Sequence, residues 1–434
     1  MPTYCIIALG CDKNIIDAEM AAKSLIDAGY AAVPAPDEAD IVIVHTCAFI
    51  DEAKEESISM ILEAAGDKKA GAALVVSGCL AQRYAAQLAE EMPEVDLFVG
   101  VGRHDRILDL LGSTRISVGS PMEWSIDTRN RIPSTPPWSA YIKISEGCDN
   151  RCSYCVIPSI RGGLRSRPIA HIVEEIQWLQ RRGMVELNLI AQDVAAYGAD
   201  MGMKEGLARL LTTILAETDV PWIRLLYLHP RHITDTLIDL VAGQDRILNY
   251  LDIPVQHISD PILSAMERKI DRATIVSLIK KVRERIGGLF LRTSLIVGFP
   301  GEGEREFGDL MDFVAKTRFE HIGVFRYSRE EKTGAASLPG RVPKKTAKKR
   351  HDMIMSLQEE ISHDHNRNLV GKVGYVLLEG PYGEDEFCRR GRFYGQAPEV
   401  DGIVVVSGTG AGPGELVAVR FTDAYPYDLA AKAL

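Results

Sequence analysis

Three times in its first 80 residues the chain ends a short apolar run beside a lone cysteine. "IIALGCDK" presents Cys11, "IVIVHTCAF" presents Cys47 and "VVSGCLAQR" presents Cys79. The runs "YCIIAL", "DIVIVHT", "ALVVS" and "DLFVG" are short and apolar and read as strands. Between the second and third lies "IDEAKEESISMILEAAG", where Ile50, Ala53, Ser57-Ile58 and Ile61 recur near helical spacing and Gly66 reads as a stop. Strands alternating with helices imply a parallel sheet, which binds ligands beyond the carboxyl ends of its strands. Cys11, Cys47 and Cys79 are therefore expected on one edge of one sheet, in an α/β unit over residues 1–130.

At 434 residues, with 46% hydrophobic and 25% charged side chains, the chain has room for about three domains. A net charge of −10 argues against a wholesale nucleic-acid binder and would suit a basic protein partner. No run approaches the roughly 18 apolar residues of a membrane span. "MPTYCIIALGCDKN" has no basic leader of the kind a signal peptide carries. A cytoplasmic protein is expected, with no membrane partner. In that setting the eight cysteines point to metal or catalysis rather than disulfides.

"DTRNRIPSTPPWSA" reads as a linker. Beyond it a second alternating series is expected over residues 137–366, with strands "AYIKIS", "VELNLIAQ", "IRLLYLH", "YLDIPVQ", "LRTSLIVGF" and "HIGVFRYS". The helix "PIAHIVEEIQWLQRRG" shows the pattern between them. Pro168 suits its first turn, Ile169, Ile172, Val173, Ile176 and Leu179 form a stripe, and Gly183 ends it. Six such units predict a partial (βα)6 barrel of TIM type, with its chemistry at the C-terminal mouth. A long helix follows, with Ile354, Leu357 and Ile361 on one face; its basic start reads as a solvated face rather than an RNA site. Residues 368–434 change to short strands and many glycines, "VGYVLLEG", "FCRRGRFYGQAP", "GIVVVSG" and "ELVAVRFTDA", which predict a small antiparallel, OB-like β-barrel. The fold class is thus α/β plus β.

Cys148, Cys152 and Cys155 follow the strand "AYIKIS" as C-x3-C-x2-C in "EGCDNRCSYCVIPSIRGG". A structural zinc site takes four protein ligands, whereas three thiolates on one loop suit an iron–sulfide cubane whose fourth iron stays open to a chelating small molecule. A zinc loop or simple buried cysteines are the alternatives. With Tyr154 before the last cysteine, at the opening of a partial barrel, the motif resembles the radical S-adenosylmethionine (SAM) enzymes. The resemblance implies that SAM chelates the open iron and is cleaved to methionine and a 5′-deoxyadenosyl radical, which abstracts hydrogen from carbon.

The three-cysteine first domain, the barrel and the C-terminal β-barrel together resemble the methylthiotransferases over essentially the whole chain; in that family the last unit is the TRAM domain. This implies two 4Fe–4S clusters, one on Cys11, Cys47 and Cys79 and one on Cys148, Cys152 and Cys155. The first carries sulfur, one SAM supplies the methyl group and a second the radical. "LGCDKNIIDAE", "HTCAFIDEAKEESI", "SGCLAQRY" and "LDIPVQHISD" resemble the type that modifies the β-carbon of an aspartate in ribosomal protein uS12. The tRNA-modifying relatives usually carry a serine-glycine pair where His257-Ile258 stand. Asp12 replaces a usual proline, and "MERKIDRA" lacks a usual arginine-glycine pair; neither touches a proposed ligand. The partners implied are uS12, free or in the small ribosomal subunit, an electron donor and a sulfur donor. A tRNA adenosine methylthiotransferase, and a non-catalytic ribosome- or RNA-binding protein with structural metal, are the competing readings.

The resemblance also implies SAM contacts. Ser294 and Gly298 in "SLIVGFPGE" match the strand that lines adenine and ribose, although the Gly-Phe-Pro-Gly turn reads equally as a tight turn. Gln192 either faces SAM or caps a strand end. Arg165 and Arg167 either pair the SAM carboxylate or are surface charges at a helix start. Gln256 and His257 either meet substrate at the barrel mouth or sit in the core. Cys5, inside a strand, and Cys388, in the small barrel, read as non-ligands.

From Gly371 to Leu434 six basic residues (Lys372, Arg389, Arg390, Arg392, Arg420, Lys432) face nine acidic ones (Glu379, Glu384, Asp385, Glu386, Glu399, Asp401, Glu415, Asp423, Asp428). A unit three charges negative repels tRNA and attracts a basic ribosomal protein. The isolated unit, residues 368–434, is expected to bind uS12 more tightly than tRNA in a titration at several salt concentrations. Tight, salt-sensitive binding of tRNA without uS12 binding would reverse the substrate assignment.

Overall fold

The computed structural model describes residues 1–123, 125–383 and 385–434. The early apolar runs become strands close to where the pattern puts them: β1 (Thr3–Ala8), β3 (Ile41–Thr46), β4 (Ala73–Gly78) and β5 (Leu97–Val99). Two-residue edges, β2 (Ala31–Ala32) and β6 (Ile116–Ser117), complete a parallel sheet of order β2-β1-β3-β4-β5-β6. Every residue of β3 is buried, as expected of a central strand covered by helices on both faces. The helix after β3 runs Asp51–Asp67, so Gly66 lies in its last turn and Lys68 caps it. Glycine weakens a helix interior without forbidding it, and the chain turns only after one further residue.

Beyond the linker come β7 (Ser139–Lys143) and a short antiparallel ribbon of β8 (Ser145–Glu146) with β9 (Arg165–Ser166). They are followed by β10 (Glu186–Ile190), β11 (Trp222–Leu225), β12 (Ile247–Asp252), β13 (Phe290–Val297) and β14 (His321–Arg326). Six of these strands form one sheet in the order β7-β10-β11-β12-β13-β14, every pair parallel: the partial barrel. Strand geometry sends alternate residues to opposite faces. Ile142, Leu189, Leu225 and Leu291 pack outward with the helix residues Ile172, Ile176 and Leu179. Tyr141, Ile190, Tyr250 and Phe290 point the other way and join Ile16 of the helix Asp12–Asp27 and the apolar face of the C-terminal unit. Pro168 caps the helix Ile169–Gln180 from just outside it rather than sitting in its first turn.

The C-terminal unit is a closed barrel of β15 (Val373–Tyr382), β16 (Asp385–Phe393), β17 (Val404–Ser407), β18 (Leu416–Ala424) and β19 (Leu429–Ala433), in the order β15-β16-β17-β19-β18. Its pairings are antiparallel except that β17 and β19 run parallel. Glu384, one of the nine acidic residues counted above, lies outside the described residues. The long helix Lys344–Arg367 buries Ile354 and Ile361 and leads into this barrel. Among the described residues no helix is long and apolar enough to cross a membrane.

A buried carboxylate fastens the small barrel to the large one. Glu186 of β10 accepts Arg392 of β16 at 2.6 Å and Arg224 of β11 at 3.0 Å, with Ser139 donating at 2.9 Å. Burial opposes ionisation of Glu186, but Arg392 and Arg224 outweigh it and bring the carboxyl down to about 2. A depressed carboxyl pKa stabilises the fold above its unfolded value and loses that contribution as pH falls through the folded one. Glu186→Gln should therefore cost roughly 3 kcal/mol near neutral pH in urea unfolding, since it leaves the buried Arg224 without a carboxylate and Arg392 with Glu379 alone. The difference from wild type should shrink as pH falls from about 4.5 to about 2.

Candidate metal centres

The sheet register places the ends of β1, β3 and β4 side by side, pairing Ala8 with His45 and Thr46 with Gly78. Cys11 is the N-cap of the helix Asp12–Asp27, Cys47 directly follows β3, and Cys79 opens the helix Cys79–Glu91. Two glycines permit this crowding. A Cβ on Gly10 (φ +90°) would stand 2.7 Å from the Cβ of Cys47, and one on Gly78 (φ +95°) 2.7 Å from the Thr46 carbonyl oxygen. The expected shared edge is thus what the register produces. Asn14 stitches the edge together by donating to the Leu9 and Thr46 carbonyls at 2.8 and 3.1 Å. Burial pushes the Cys79 thiol up to about 12, against the pull of Arg161, and burial likewise raises Cys47. Such thiols stay protonated at neutral pH until a metal displaces the proton.

The second triad lies on the loop between β8 and β9. Gly147 (φ +75°) lets the chain pass so close to Gly162 and Gly163 that a Cβ would reach 2.0 Å from the Gly163 carbonyl oxygen. The Cys155 amide donates to the Cys152 carbonyl at 3.0 Å, which folds the C-x2-C segment back on itself. Asn150 donates to the Cys148 Sγ at 3.4 Å, and Arg268 to the Cys152 Sγ at 3.5 Å and the Tyr154 hydroxyl at 3.4 Å. Burial lifts the thiols of Cys148 to about 11 and Cys155 to about 12.

The spacing of the thiols tests what each triad could hold. Tetrahedral zinc with a Zn–S bond of about 2.3 Å brings sulfurs to roughly 3.8 Å of one another. Among the described residues, the group whose ligand atoms all lie within 4.8 Å is Asp193, His229 and His232, and neither cysteine triad is so tight. Three thiols without a fourth protein ligand suit the corners of a cubane whose remaining iron stays open. The N–H donors aimed at Cys79, Cys148 and Cys152 suit its anionic sulfur.

The other expected residues fall in several places. A cavity of about 490 Å³ beside Cys148 is lined by Asn150, Asp193, Arg231 and His232. A second, of about 400 Å³, is lined by Gly298, Pro300, Tyr327 and Ser328 together with Asp51 and Glu52 of the first domain. Gly298 (φ +77°) also serves packing, since a Cβ there would meet that of Ala347 at 2.6 Å. Ser294 is half-buried on β13, its carbonyl accepting the Gln256 amide at 2.9 Å. Gln192 donates to Glu146 at 2.9 Å, and Tyr154 packs beside Phe299 and Met266.

Arg167 matches neither earlier reading. It is buried, donating to the Lys143 carbonyl at 2.8 Å and to Glu175 at 2.7 Å, so its donors face the barrel wall. Arg165 is half-buried and donates to the Pro121 carbonyl at 2.8 Å. His257 is a core histidine: its Nδ1 accepts the Ser259 amide at 3.0 Å, and burial brings its pKa down to about 3. Gln256 is half-buried in a left-handed conformation (φ +70°), bridged to β13 at Leu295. Cys5 lies within β1 and Cys388 within β16. Arg161, Arg268, Glu146 and Asp193 were not singled out from the sequence, where nothing in the charge pattern separates a buried arginine from a surface one.

Comparison with known proteins matches three separate stretches of the chain. Residues 3–100 match the uncharacterized protein family UPF0004, residues 142–314 the radical SAM superfamily and residues 370–434 the TRAM domain. The chain is 46% identical over 432 residues to a protein of Syntrophotalea carbinolica, covering 98% of this chain and 95% of that one. It is 47% identical to one of Syntrophus aciditrophicus, covering 99% and 98%, and 47% identical to one of Myxococcus xanthus, covering 99% and 91%. All three bear the name ribosomal protein uS12 methylthiotransferase RimO. Among solved structures, the radical S-adenosylmethionine methyltransferase TsrM of Kitasatospora setae with cobalamin and a [4Fe-4S] cluster bound shares the fold. Its TM-score is 0.58 at 17% identity, over 77% of each chain.

Anaerobic reconstitution with iron and sulfide should load about eight iron atoms per chain, two cubanes of four. Replacing either cysteine triad by alanine should halve that number in a colorimetric iron assay. A triple variant that keeps its full iron content would remove that triad from the ligand set.

Proposed function

This chain belongs to the RimO family of ribosomal protein uS12 methylthiotransferases, and on that premise we infer that it methylthiolates the β-carbon of an aspartate in uS12 by radical chemistry. The observation that carries the reading is the pairing of two three-cysteine centres, one at a sheet edge and one at a barrel mouth, joined by the segment after Cys155 whose Arg161 bonds Asn14 and Asp17 of the first domain. Bound there, the two 4Fe–4S clusters supply the electron that cleaves SAM and the site that carries the sulfur. Cys148, Cys152 and Cys155 hold the SAM-binding cluster, and Cys11, Cys47 and Cys79 the sulfur-carrying one. Tyr154, Gln192, Ser294 and Gly298 are the SAM contacts in this reading. It is supported at Gly298 by the cavity that this residue lines, and at Gln192 by its bond to a carboxylate two residues before Cys148.

The protein's own part is to hold two reacting centres in one geometry and keep water out. Glu330, which follows β14, is buried and takes Arg83 at 2.7 Å and Lys54 at 3.0 Å from the first domain. On the opposite side Lys143 of β7 binds Asp17 at 2.7 Å, and Arg131 binds both Glu19 and Glu175. These pairs hold the sheet edge against the barrel. Cys47 and Cys79 are buried while Cys11 is exposed, so the sulfur-bearing site is closed by protein on two sides and open at Cys11. The electron donor, the sulfur donor and the state of uS12 at encounter, free or in the small subunit, complete the reading.

Two triple variants separate the roles. Replacing Cys148, Cys152 and Cys155 by alanine should abolish 5′-deoxyadenosine formation. Replacing Cys11, Cys47 and Cys79 should leave SAM cleavage measurable and remove methylthiolated uS12 from the mass spectrum. Product on tRNA rather than uS12 would favour the adenosine-modifying alternative. Full methylthiolation by the first-domain variant would reduce that domain to a scaffold.

A further inference from the structure

We propose that Arg161 is the positioning residue that ties one cysteine centre to the other and supplies the positive charge that governs how readily the Cys11–Cys47–Cys79 centre accepts an electron. The inference rests on the reading that both triads hold iron–sulfur clusters.

Arg161 closes a one-turn helix, Ile157–Arg161, that begins two residues after Cys155. Its backbone therefore belongs to the loop of the second triad, while its guanidinium lies in the first domain. There Nη2 donates to the Asn14 Oδ1 at 2.8 Å and the Asp17 Oδ2 at 2.9 Å, and points at the Cys79 Sγ at 3.7 Å. Asn14 in turn holds the carbonyls of Leu9 and Thr46, which lie just ahead of Cys11 and Cys47. One side chain thus references all three ligand turns of the first centre to the segment that carries Cys155. Val156 and Ile160 of that segment pack in one cluster with Cys79, Leu80 and Ala81, so the join is apolar as well as ionic.

The charge around Arg161 is balanced before any cluster is added. Its Nη1 donates to Glu146 at 3.0 Å, and Lys143 binds both Asp17 and Glu146 at 2.7 Å, giving two cations and two carboxylates. Arg161 is 1% exposed, so water screens it little. Net charge and hydrogen bonds to sulfur set the potential of an iron–sulfur centre, and Arg161 offers both to Cys79. Glu146 also accepts from Gln192, so the same quartet extends from the first centre to a proposed SAM contact.

A buried ion pair with no bearing on the cluster would move stability and nothing else, so the test reads the potential. In a chain whose Cys148, Cys152 and Cys155 are alanine, only the first centre loads, and its reduction is followed by electron paramagnetic resonance against a graded reductant. Arg161→Gln should lower the reduction equilibrium constant about tenfold, ~59 mV for one electron. Arg161→Lys, which keeps the charge, should recover most of that shift. With all six cysteines present, Arg161→Gln should lower methylthiolated uS12 per 5′-deoxyadenosine formed by about tenfold. If the single variant unfolds, Arg161→Gln with Asp17→Asn leaves the net charge unchanged and so tests the positioning role alone: its product ratio should still fall, and an unchanged ratio would overturn that role. An iron-loaded Arg161→Gln protein with unchanged potential and unchanged product ratio would overturn the inference, as would an Arg161→Lys protein shifted as far as the glutamine variant. Absence of iron from the parental triple variant would overturn the reading of the first triad, and the inference with it.

Discussion

Four buried charges, Asp17, Lys143, Glu146 and Arg161, occupy the seam between the first domain and the barrel, and the relation of the two cysteine centres depends on them. Burial opposes ionisation of Asp17, and Lys143 and Arg161 overcome it, holding the carboxyl well below its ordinary range. Burial opposes ionisation of Glu146 as well, yet Arg161 and Lys143 bring it down to about 2. A buried quartet of this kind is weak support for net stability, because desolvation takes back much of what attraction gives. Its strength is geometric. Each carboxylate is bonded to both cations, so a shift of one domain against the other would leave at least one charge unpaired in a dry interior.

That constraint sets how the two cysteine-bearing surfaces of this chain face one another. The sheet edge covers Cys47 and Cys79 and opens to solvent at Cys11, and the barrel is closed from its other side by a β-barrel fastened through Glu186. The two ends of the radical SAM barrel are thus anchored by separate ion networks, one to each neighbouring domain. Chemistry that passes a reactive species between two centres benefits from such enclosure, since misplacement by about an ångström is costly in rate.

Much of this was readable in the chain itself. Short apolar runs separated by helical periods led directly to two parallel sheets, because a parallel connection cannot be made without a crossover. C-x3-C-x2-C was readable because its three cysteines are local. The three scattered cysteines were readable because each follows a strand end, and strand ends in a parallel sheet share an edge. Other features were not. The strand Leu429–Ala433 is mostly alanine, a residue depleted in strands, and exists because β17 and β18 offer it two partners. Arg167 looked like a surface or ligand charge and is buried against Glu175, which lies eight residues on across a helical turn.

By itself, then, the sequence determined most element types, the order of the three units and the six cysteines at strand ends and on one loop, since periodicity and local spacing act over a few residues. Only the tertiary structure decided which charges are buried together. Asp17 and Arg161 are 144 residues apart and meet at 2.9 Å; Glu186 and Arg392 are 206 apart and meet at 2.6 Å. No local pattern distinguishes such residues from solvated ones. Their roles arise when packing removes water and leaves each charge only its opposite as a partner.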